Sequence, residues 1–253
     1  MEDDNVDEIS KIEKIKACIA ISVIVLAILI TGIITMKYQV EGETNLPFKL
    51  SKIMIVSTAE GVQKDGAEEK WNLDIFQNND IYFSIEKNNE NKENEIIESI
   101  SIENIIITKA PTIANIKTYM PNSSDGRLFS YEENYIVEEN KLTFKGAGKS
   151  NSKTLEIGNQ GGTVVMRFAN TEIGNYTSND DEEIKHDGSL ISKTEANIED
   201  LKFEVNFDLL INLKNKSYIS NITLQLPCGE NLIEEGTASN EITEGFIFKR
   251  IRK

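Results

Sequence analysis

An acidic stretch late in the chain carries the residues best suited to bind a metal ion. Within Asn179–Asp187, the candidate ligands are Asp180, Asp181, Glu183 and Asp187. Ca²⁺ takes roughly six to eight oxygen ligands, and clustered carboxylates on a loop supply several of them. The spacing matches no known calcium loop, because Lys185 and Glu183 stand before Asp187 where that pattern requires Asp or Asn. Two interpretations therefore stay open, a calcium- or ligand-sensing site and a solvated loop.

Other patterns resemble catalytic or ligand-binding motifs only in part. Lys145–Ser150 reads KGAGKS, but a phosphate-binding loop needs glycine at the position that Thr143 occupies, so we interpret the segment as a turn. His186 is the single histidine, and one imidazole does not define a zinc site. The chain has no Gly-x-Ser-x-Gly motif and no organised Cys–His pair. The sequence therefore predicts no catalytic residue, no cofactor and no enzymatic activity.

The 2 cysteines lie far apart along the chain and exclude a disulfide within one domain. Cys18 lies at the edge of a long apolar stretch, and Cys228 stands alone in the remainder. Cys228 either pairs two chains or is a small buried apolar residue. The domain that contains it must therefore depend on its hydrophobic core.

The apolar stretch Ala17–Met36 determines where we expect the protein to lie. It is uncharged, and at about 1.5 Å per residue it matches the roughly 30 Å hydrocarbon core of a bilayer. A cleaved signal peptide would need a shorter apolar core and small residues at its exit, where Ile33 and Ile34 stand. Lipidation at Cys18 is excluded because this cysteine precedes the apolar run, and a buried globular helix would carry a polar stripe. The stretch is predicted to be a transmembrane helix.

Basic residues at the two ends of this stretch predict its orientation. Lys11, Lys14 and Lys16 precede it, whereas Lys37 stands alone just after it. Positive charge favours the cytoplasmic side. We therefore expect a cytoplasmic tail at residues 1–16, a transmembrane helix at 17–36, a juxtamembrane tether at 37–48 and an extracytoplasmic β-rich domain at 49–253.

The formal net charge of −15 restricts the partners of the chain. Repulsion argues against nucleic acid and other polyanions, and the charge favours cations, basic partners or simple solubility. Heavy use of Asn, Ile, Lys and Glu indicates an AT-rich genome, which favours a bacterial origin.

Alternating apolar residues predict strands throughout the domain. Trp71–Ile75 and Ile81–Ile85 alternate, and their apolar faces match if Phe76–Asp80 connects them as a hairpin. Lys202–Leu213 is the clearest strand, and pairing Leu209 with Ile222 brings its apolar face onto that of the next strand. Ser189–Leu201 is predicted to hold one short helix.

These segments predict a mainly β protein. Roughly nine to eleven short strands without a βαβ rhythm indicate an antiparallel β-sandwich, immunoglobulin-like or related, after the N-terminal transmembrane helix. A split near Pro121 into two smaller domains stays open.

Some stretches carry a resemblance to a known group of proteins. They are YQVEGETNLPFKLSKI at residues 38–53, KWNL at 70–73, GNQGG at 158–162 and GNY at 174–176. The chain resembles an uncharacterised family of single-pass membrane-anchored proteins from low-GC bacteria. The resemblance implies an N-terminal anchor and a β-rich outer domain, and it implies no activity or site residues.

The sequence favours a non-enzymatic binding or structural module of the bacterial cell envelope. Its expected partners are the lipid bilayer, through Ala17–Met36, and an unidentified envelope protein or ligand. One alternative is a Ca²⁺- or ligand-sensing domain that uses Asn179–Asp187. A second alternative is an envelope hydrolase, which would require a deep pocket lined by converging carboxylates.

Overall fold

The computed structural model describes residues 16, 18–34, 45–64, 70–122, 127–179, 183–185, 189–229 and 231–251. Contacts divide the chain into two compact units, Met1–Glu43 and Thr44–Lys253. Each unit is described by itself. Residues 1–15 of the predicted tail and residues 37–44 of the predicted tether at 37–48 lie outside the described residues, and the last residue of that tether, Phe48, begins a strand.

The first unit contains one helix, α1, at residues 18–34 of its described part, and the side chains of this helix are exposed. The hydroxyls of Ser22 and Thr31 donate to the carbonyls of Cys18 and Ala27, one turn earlier, at 2.9 and 2.8 Å. Among the residues that the structure describes, no helix is both long and apolar enough to cross a membrane. The predicted transmembrane span at 17–36, whose residues 17, 35 and 36 lie outside the described part, is not confirmed.

The second unit is mainly β. Its strands are β1 (Phe48–Gln63), β2 (Asn72–Lys87), β3 (Ile97–Lys109), β4 (Asn115–Tyr119), β5 (Leu142–Gly146), β6 (Glu156–Ile157), β7 (Gly161–Thr177), β8 (Phe203–Leu213), β9 (Ser217–Leu226), β10 (Thr237–Ile242) and β11 (Lys249–Ile251). Its short α-helices are α2 (Ser189–Ser192), α3 (Ile198–Leu201) and α4 (Leu232–Glu235).

The strands form two sheets, and the prediction of a mainly β fold with two sheets is confirmed. The first sheet has the order β10-β1-β2-β7-β4, and the second has the order β11-β9-β8-β3-β5-β6. The pairings of the described strands are antiparallel except for the short parallel pair β5–β6. The described strands also agree in number with the roughly nine to eleven that the alternating pattern predicts.

The main core lies between the two sheets. Buried and less buried residues alternate along all of β8, because successive side chains of a strand point to opposite faces. From the first sheet, the ring of Phe83 meets Phe207 edge to face with centroids 5.7 Å apart, and Phe168 meets Phe203 at 6.3 Å. Such aromatic pairs contribute about 0.5–1.5 kcal/mol beyond the area that they bury.

The predicted pairing of β8 with β9 was wrong by two residues. Phe207, rather than Leu209, lies opposite Ile222. Both registers present the same faces to the core, since the side-chain period of a strand is two. The turn decides between them, because the Leu213 amide donates to the Lys216 carbonyl at 2.8 Å and closes a tighter connection than the apolar pattern indicates.

The predicted hairpin at Phe76–Asp80 was also wrong. β2 runs through this segment without a turn and pairs with β1 along its whole length, with Ile81 opposite Ile55 and Gln77 opposite Ala59. The sequence FQNND looks like a connection because amide side chains favour turns. In the folded chain these amides are buried and hydrogen-bonded to one another.

A second, smaller core lies beyond this polar segment of the first sheet. Its buried residues are Ala59, Leu73, Ile75, Ile173, Leu190, Ile191, Ala196, Leu201 and Leu232. The helices α2, α3 and α4 supply part of it, so the predicted single helix at Ser189–Leu201 is two short helices. The capping box forms between Asn197 and Asp200 at the start of α3.

Candidate functional site

A layer of buried amides separates the main core from the smaller one. Gln77, Asn79 and Asn170 are completely buried, as is Ser57 on the neighbouring strand. Ser57 Oγ donates to Asn79 Oδ1 at 2.7 Å, and Gln77 Nε2 donates to the same oxygen at 3.0 Å. Asn170 Nδ2 donates to Gln77 Oε1 at 2.8 Å and to the Leu201 carbonyl at 3.1 Å. Buried polar groups are tolerated when they are bonded in this way, and such a network rigidifies this part of β1, β2 and β7.

Residues that alternate with these amides point to the opposite face of the first sheet and carry charge. Arg167 on β7 lies opposite Asp80 on β2, and its Nε and Nη2 donate to the two carboxylate oxygens at 2.6 and 2.9 Å. Their side chains are only 12% and 13% exposed. Burial alone would lower the pKa of Arg167, but the hydrogen bonds and charge of Asp80 raise it. Arg167 therefore stays charged, and the bidentate pair fixes the positions of both side chains.

The segment after β4 covers this pair with aromatic rings. The Arg167 guanidinium lies 4.4 Å from the centre of the Phe129 ring and 5.8 Å from that of Tyr131. Tyr131 also packs edge to face on Phe76 and Tyr119, with centroids 4.7 and 5.5 Å apart. The rings exclude water from the ion pair and hold Tyr131 in one position.

Tyr131 connects the covered ion pair to a carboxylate at the surface. Its hydroxyl donates to Glu60 Oε2 at 2.5 Å, and Asn78 Nδ2 donates to the same oxygen at 3.0 Å. Burial raises the pKa of the Tyr131 phenol far above its usual range; the nearby Arg167 opposes this, and the charge of Glu60 adds to it. Tyr131 therefore stays protonated and fixes one oxygen of Glu60.

A surface cavity of about 340 Å³ lies beside Glu60. Its described lining residues are Glu60, Gly61, Val62, Gln63, Trp71, Leu73 and Arg127. The volume is at the lower end of the roughly 300–1,000 Å³ that small-molecule sites occupy. Another cavity of similar volume, between Ser84–Lys87 and Gln160–Thr163, has no aromatic side chain among its described lining residues.

The aromatic wall of the cavity is the single tryptophan of the chain. Trp71 is 50% exposed although it is large and apolar. Its backbone is held on both sides by Ser178: the Trp71 amide donates to Ser178 Oγ at 2.9 Å, and the Ser178 amide donates to the Trp71 carbonyl at 2.8 Å. The exposed ring therefore stands on a fixed backbone at the start of β2.

Two charged side chains, Glu60 and Arg127, are among the described residues that line the cavity. Glu60 Oε1, the oxygen that Tyr131 does not bind, lies 3.8 Å from Arg127 Nη1. The Glu60 side chain is 26% exposed and that of Arg127 is 73% exposed. Arg127 and Arg167 balance Glu60 and Asp80, and the nearby Lys64 pairs with Asp74 at 2.8 Å. Among the described residues, these opposite charges lie close to one another in a chain of net charge −15.

The candidate metal ligands are mostly beyond what the structure describes. Asp180, Asp181 and Asp187, together with His186, lie outside the described residues, and Glu183 is exposed. Among the described residues, no group of three or more His, Cys, Asp or Glu side chains is placed to hold a metal ion. Because most of the loop is not described, the calcium site stays a prediction.

Two smaller expectations have a clear outcome. The predicted turn at Lys145–Ser150 is confirmed in part: Lys145 and Gly146 still belong to β5, and the chain turns at residues 147–149, where Lys149 pairs with Glu98 at 3.0 Å. Cys228 is buried, and its amide donates to Ser57 Oγ at 2.9 Å. It therefore acts as a small core residue in this fold rather than as an exposed thiol.

In comparisons with known proteins, no protein-family model, no curated protein and no solved structure matches the chain. The resemblance to a family of membrane-anchored proteins and the immunoglobulin-like character of the sandwich stay predictions.

Sequence reasoning missed every residue of the cavity site. The predicted hairpin pairs the segment that begins at Trp71 with Ile81–Ile85, whereas Ile85 pairs with Leu50 and Gly162. The single tryptophan could have indicated the site, because a large aromatic residue at the end of a strand is seldom completely buried in a core. Glu60, Tyr131 and Arg127 are distant in sequence and come close only through tertiary packing. No local sequence pattern therefore predicts their arrangement.

Proposed function

We propose that this protein is a non-enzymatic binding module of the bacterial cell envelope, held at the membrane by its N-terminal apolar segment. The observation that carries the proposal is the surface cavity that the half-exposed Trp71 and the fixed Glu60 help to line. Tryptophan and arginine are the side chains most enriched at binding hot spots. A pre-organised site loses less conformational freedom on binding, which favours recognition.

Binding is favoured over hydrolysis by the number of carboxylates. Of the described residues that line the cavity, Glu60 alone carries one. Most glycoside hydrolases need a pair about 5–10 Å apart, one of them as a proton donor. Glu60 has one oxygen held by Tyr131 and Asn78, so it serves better as a fixed hydrogen-bond acceptor than as a proton shuttle.

The location at the membrane is supported by the apolar sequence of Ala17–Met36. The large apolar side chains on the described part of α1 are 48–65% exposed, and include Ile19, Val23, Leu26 and Ile33. Exposed surface of this kind favours a lipid environment. The more basic flank before it supports a cytoplasmic N-terminus and an extracytoplasmic β-sandwich.

Co-sedimentation of the purified full chain, in detergent, with isolated cell-envelope fragments tests the proposal. We expect the wild type to sediment with the envelopes and Trp71→Ala to bind at least about tenfold more weakly. Ile106→Ala is the matched control, because Ile106 is 55% exposed against 50% for Trp71 and lies on β3. Equal binding by wild type and Trp71→Ala, or no binding by the wild type, would overturn the proposal.

A further inference from the structure

The pairing of the strands defines one end of the second unit. Phe48 lies opposite Lys87 in the first sheet, and Ile97 lies opposite Leu213 in the second. The Ile97 amide donates to the Asn159 carbonyl at 3.0 Å, which joins this end of β3 to the segment before β7. We call this region the entry end, and its residues are 45–49, 86–98, 145–163, 213–217 and 249–251.

Basic side chains dominate the entry end. It has ten Lys or Arg side chains and six Glu side chains, although the net charge of the whole chain is −15. Lys149 pairs with Glu98 at 3.0 Å, and Lys216 lies 2.5 Å from Glu93 and 3.7 Å from Glu95. Other basic side chains of this end are exposed and have no ion pair among the described residues; they include Lys49, Lys92, Lys145, Lys153 and Lys214.

The opposite end of the strands has the reverse balance of charge. Its described residues carry ten Asp or Glu side chains and six Lys side chains, at residues 60–64, 70–74, 108–109, 171–179, 183–185, 189–204, 226–229 and 231–236. The net charge of the chain therefore describes neither end. An anionic surface attracts the entry end and repels the opposite end.

The chain enters the second unit at the basic end, and two amide side chains hold it there. Asn91 Nδ2 donates to the Asn45 carbonyl at 2.7 Å, and Asn88 Nδ2 donates to the Leu46 carbonyl at 2.9 Å. The Asn88 amide also donates to the Pro47 carbonyl at 2.9 Å. Asn91 is only 8% exposed, so this connection is part of the fold. The point at which the chain enters is therefore fixed among the lysines.

We propose that the entry end docks on anionic phospholipid headgroups of the membrane that anchors the chain. This inference rests on the membrane location in the proposed function, and it adds the docking surface and the class of lipid. Residues 37–44 span at most about 29 Å when fully extended, which keeps the entry end within reach of the headgroups. Lysines near an anionic bilayer are attracted to lipid phosphates. The cavity that Glu60 and Trp71 help to line belongs to the opposite end and stays open to partners.

Lysine footprinting of the full chain in lipid nanodiscs tests the inference. The discs contain phosphatidylglycerol or phosphatidylcholine, and an amine-reactive ester with mass spectrometry measures the acylation rate of each lysine. We expect Lys92, Lys153 and Lys214 to react at least about threefold more slowly in the phosphatidylglycerol discs. This difference should shrink at about 1 M NaCl, where the Debye length is about 3 Å.

Lys109 is the internal control for this measurement. It is exposed, has no ion pair among the described residues and lies opposite Glu204 at the other end of the strands. Its acylation rate should be the same in both lipids.

Charge reversal separates attraction by the lysines from proximity that the tether alone imposes. Lys153→Glu combined with Lys214→Glu should remove the lipid-dependent protection of Lys92, because the new carboxylates repel the headgroups. Lys109→Glu combined with Lys117→Glu is the matched control. Both of these lysines are exposed and lie outside the entry end, and the change in net charge is the same. This control should keep the protection of Lys92.

The outcomes separate this inference from the proposed function. Equal acylation rates in the two lipids, with the chain incorporated in both, overturn the docking surface and leave the membrane location standing. Protection of Lys109 instead of the entry-end lysines also overturns it. Protection by soluble polyphosphate in phosphatidylcholine discs, without an effect of phosphatidylglycerol, overturns the lipid assignment in favour of another polyanion. A full chain that enters neither disc contradicts the membrane location and, with it, both proposals.

Discussion

The hydroxyl of Tyr131 donates to Glu60 Oε2 at 2.5 Å, and this bond joins a buried network to the wall of an open cavity. On one side of Tyr131, Arg167 Nη1 donates to the phenol oxygen at 3.2 Å and ties it to the Asp80 pair. On the other side, Glu60 is one of the described residues that line the cavity. The network therefore fixes the position of the Glu60 carboxylate at the protein surface.

Replacing Tyr131 with phenylalanine should lower stability in a way that depends on pH. The lost hydroxyl leaves part of the network unsatisfied, so we expect the free energy of unfolding at neutral pH to fall by about 1–3 kcal/mol. In the wild type the pKa of Tyr131 lies above its ordinary 10.0, so the unfolded chain releases this proton first. The contribution to stability is therefore complete below about pH 10 and is lost as the pH rises further.

Urea unfolding at pH 8 and pH 10.5 measures both effects. The phenylalanine variant should lose less stability between these pH values than the wild type does. Tyr135→Phe serves as the control, because Tyr135 is partly buried and its hydroxyl has no hydrogen bond among the described residues. Identical pH profiles for wild type and Tyr131→Phe would contradict the assignment.

Removing Asp80 alone should destabilise the protein more than removing both members of the ion pair. Asp80→Ala leaves the Arg167 guanidinium buried without its bidentate partner, and an uncompensated buried charge costs about 3–5 kcal/mol. Asp80→Leu combined with Arg167→Met removes the charge as well and should be less destabilised than Asp80→Ala. Thermal unfolding of the wild type, of Asp80→Ala and of the double variant measures these differences in stability. A double variant at least as unstable as Asp80→Ala would show that the pair is not coupled as described.

Asp200 should resist protonation because of one hydroxyl. Thr112 Oγ1 donates to Asp200 Oδ1 at 2.9 Å, and this bond, followed by those from Asn197, lowers the pKa of Asp200 below its ordinary 3.8. The bonds therefore contribute above about pH 4 and are lost as the pH falls through the lowered pKa. Thr112→Val should raise the pKa of Asp200 towards 3.8, as measured by NMR titration of its carboxyl carbon. An unchanged pKa in Thr112→Val, with Thr163→Val as the control, would refute this cause.

Protease treatment of intact cells should reveal the side of the membrane on which the β-sandwich lies. With a tag after Lys253, the proposed orientation predicts that the tag is digested without lysis. Protection of the tag until lysis would place the sandwich in the cytoplasm. That outcome would exclude an extracytoplasmic binding partner.

The sequence predicts this fold where side-chain alternation decides the structure. Along β8, Phe203 to Leu213 alternate between buried and less buried positions as the pattern indicates. A shift of two residues preserves that alternation, which is why the pairing of Phe207 with Ile222 could not be derived from it. The turn at Leu213 and Lys216 decided the register through one backbone hydrogen bond.

The polar segment of β2 shows why the candidate site escaped prediction. Gln77 and Asn79 read as a connection because their amides favour turns in isolation. They occupy a strand because Ser57 and Asn170, distant in sequence, complete their hydrogen bonds. The cavity is likewise lined by residues from separate segments of the chain, among them Glu60, Trp71 and Arg127. No local sequence pattern therefore predicts it.

The most direct test of binding beside Trp71 is a single ¹⁹F resonance. Incorporation of 5-fluorotryptophan labels one position only, because the chain contains one tryptophan. We expect this resonance to shift or broaden when the labelled full chain, in detergent, is mixed with muramidase-solubilised cell-envelope material. A resonance that stays unchanged at concentrations where the protein demonstrably binds the same material would contradict the account.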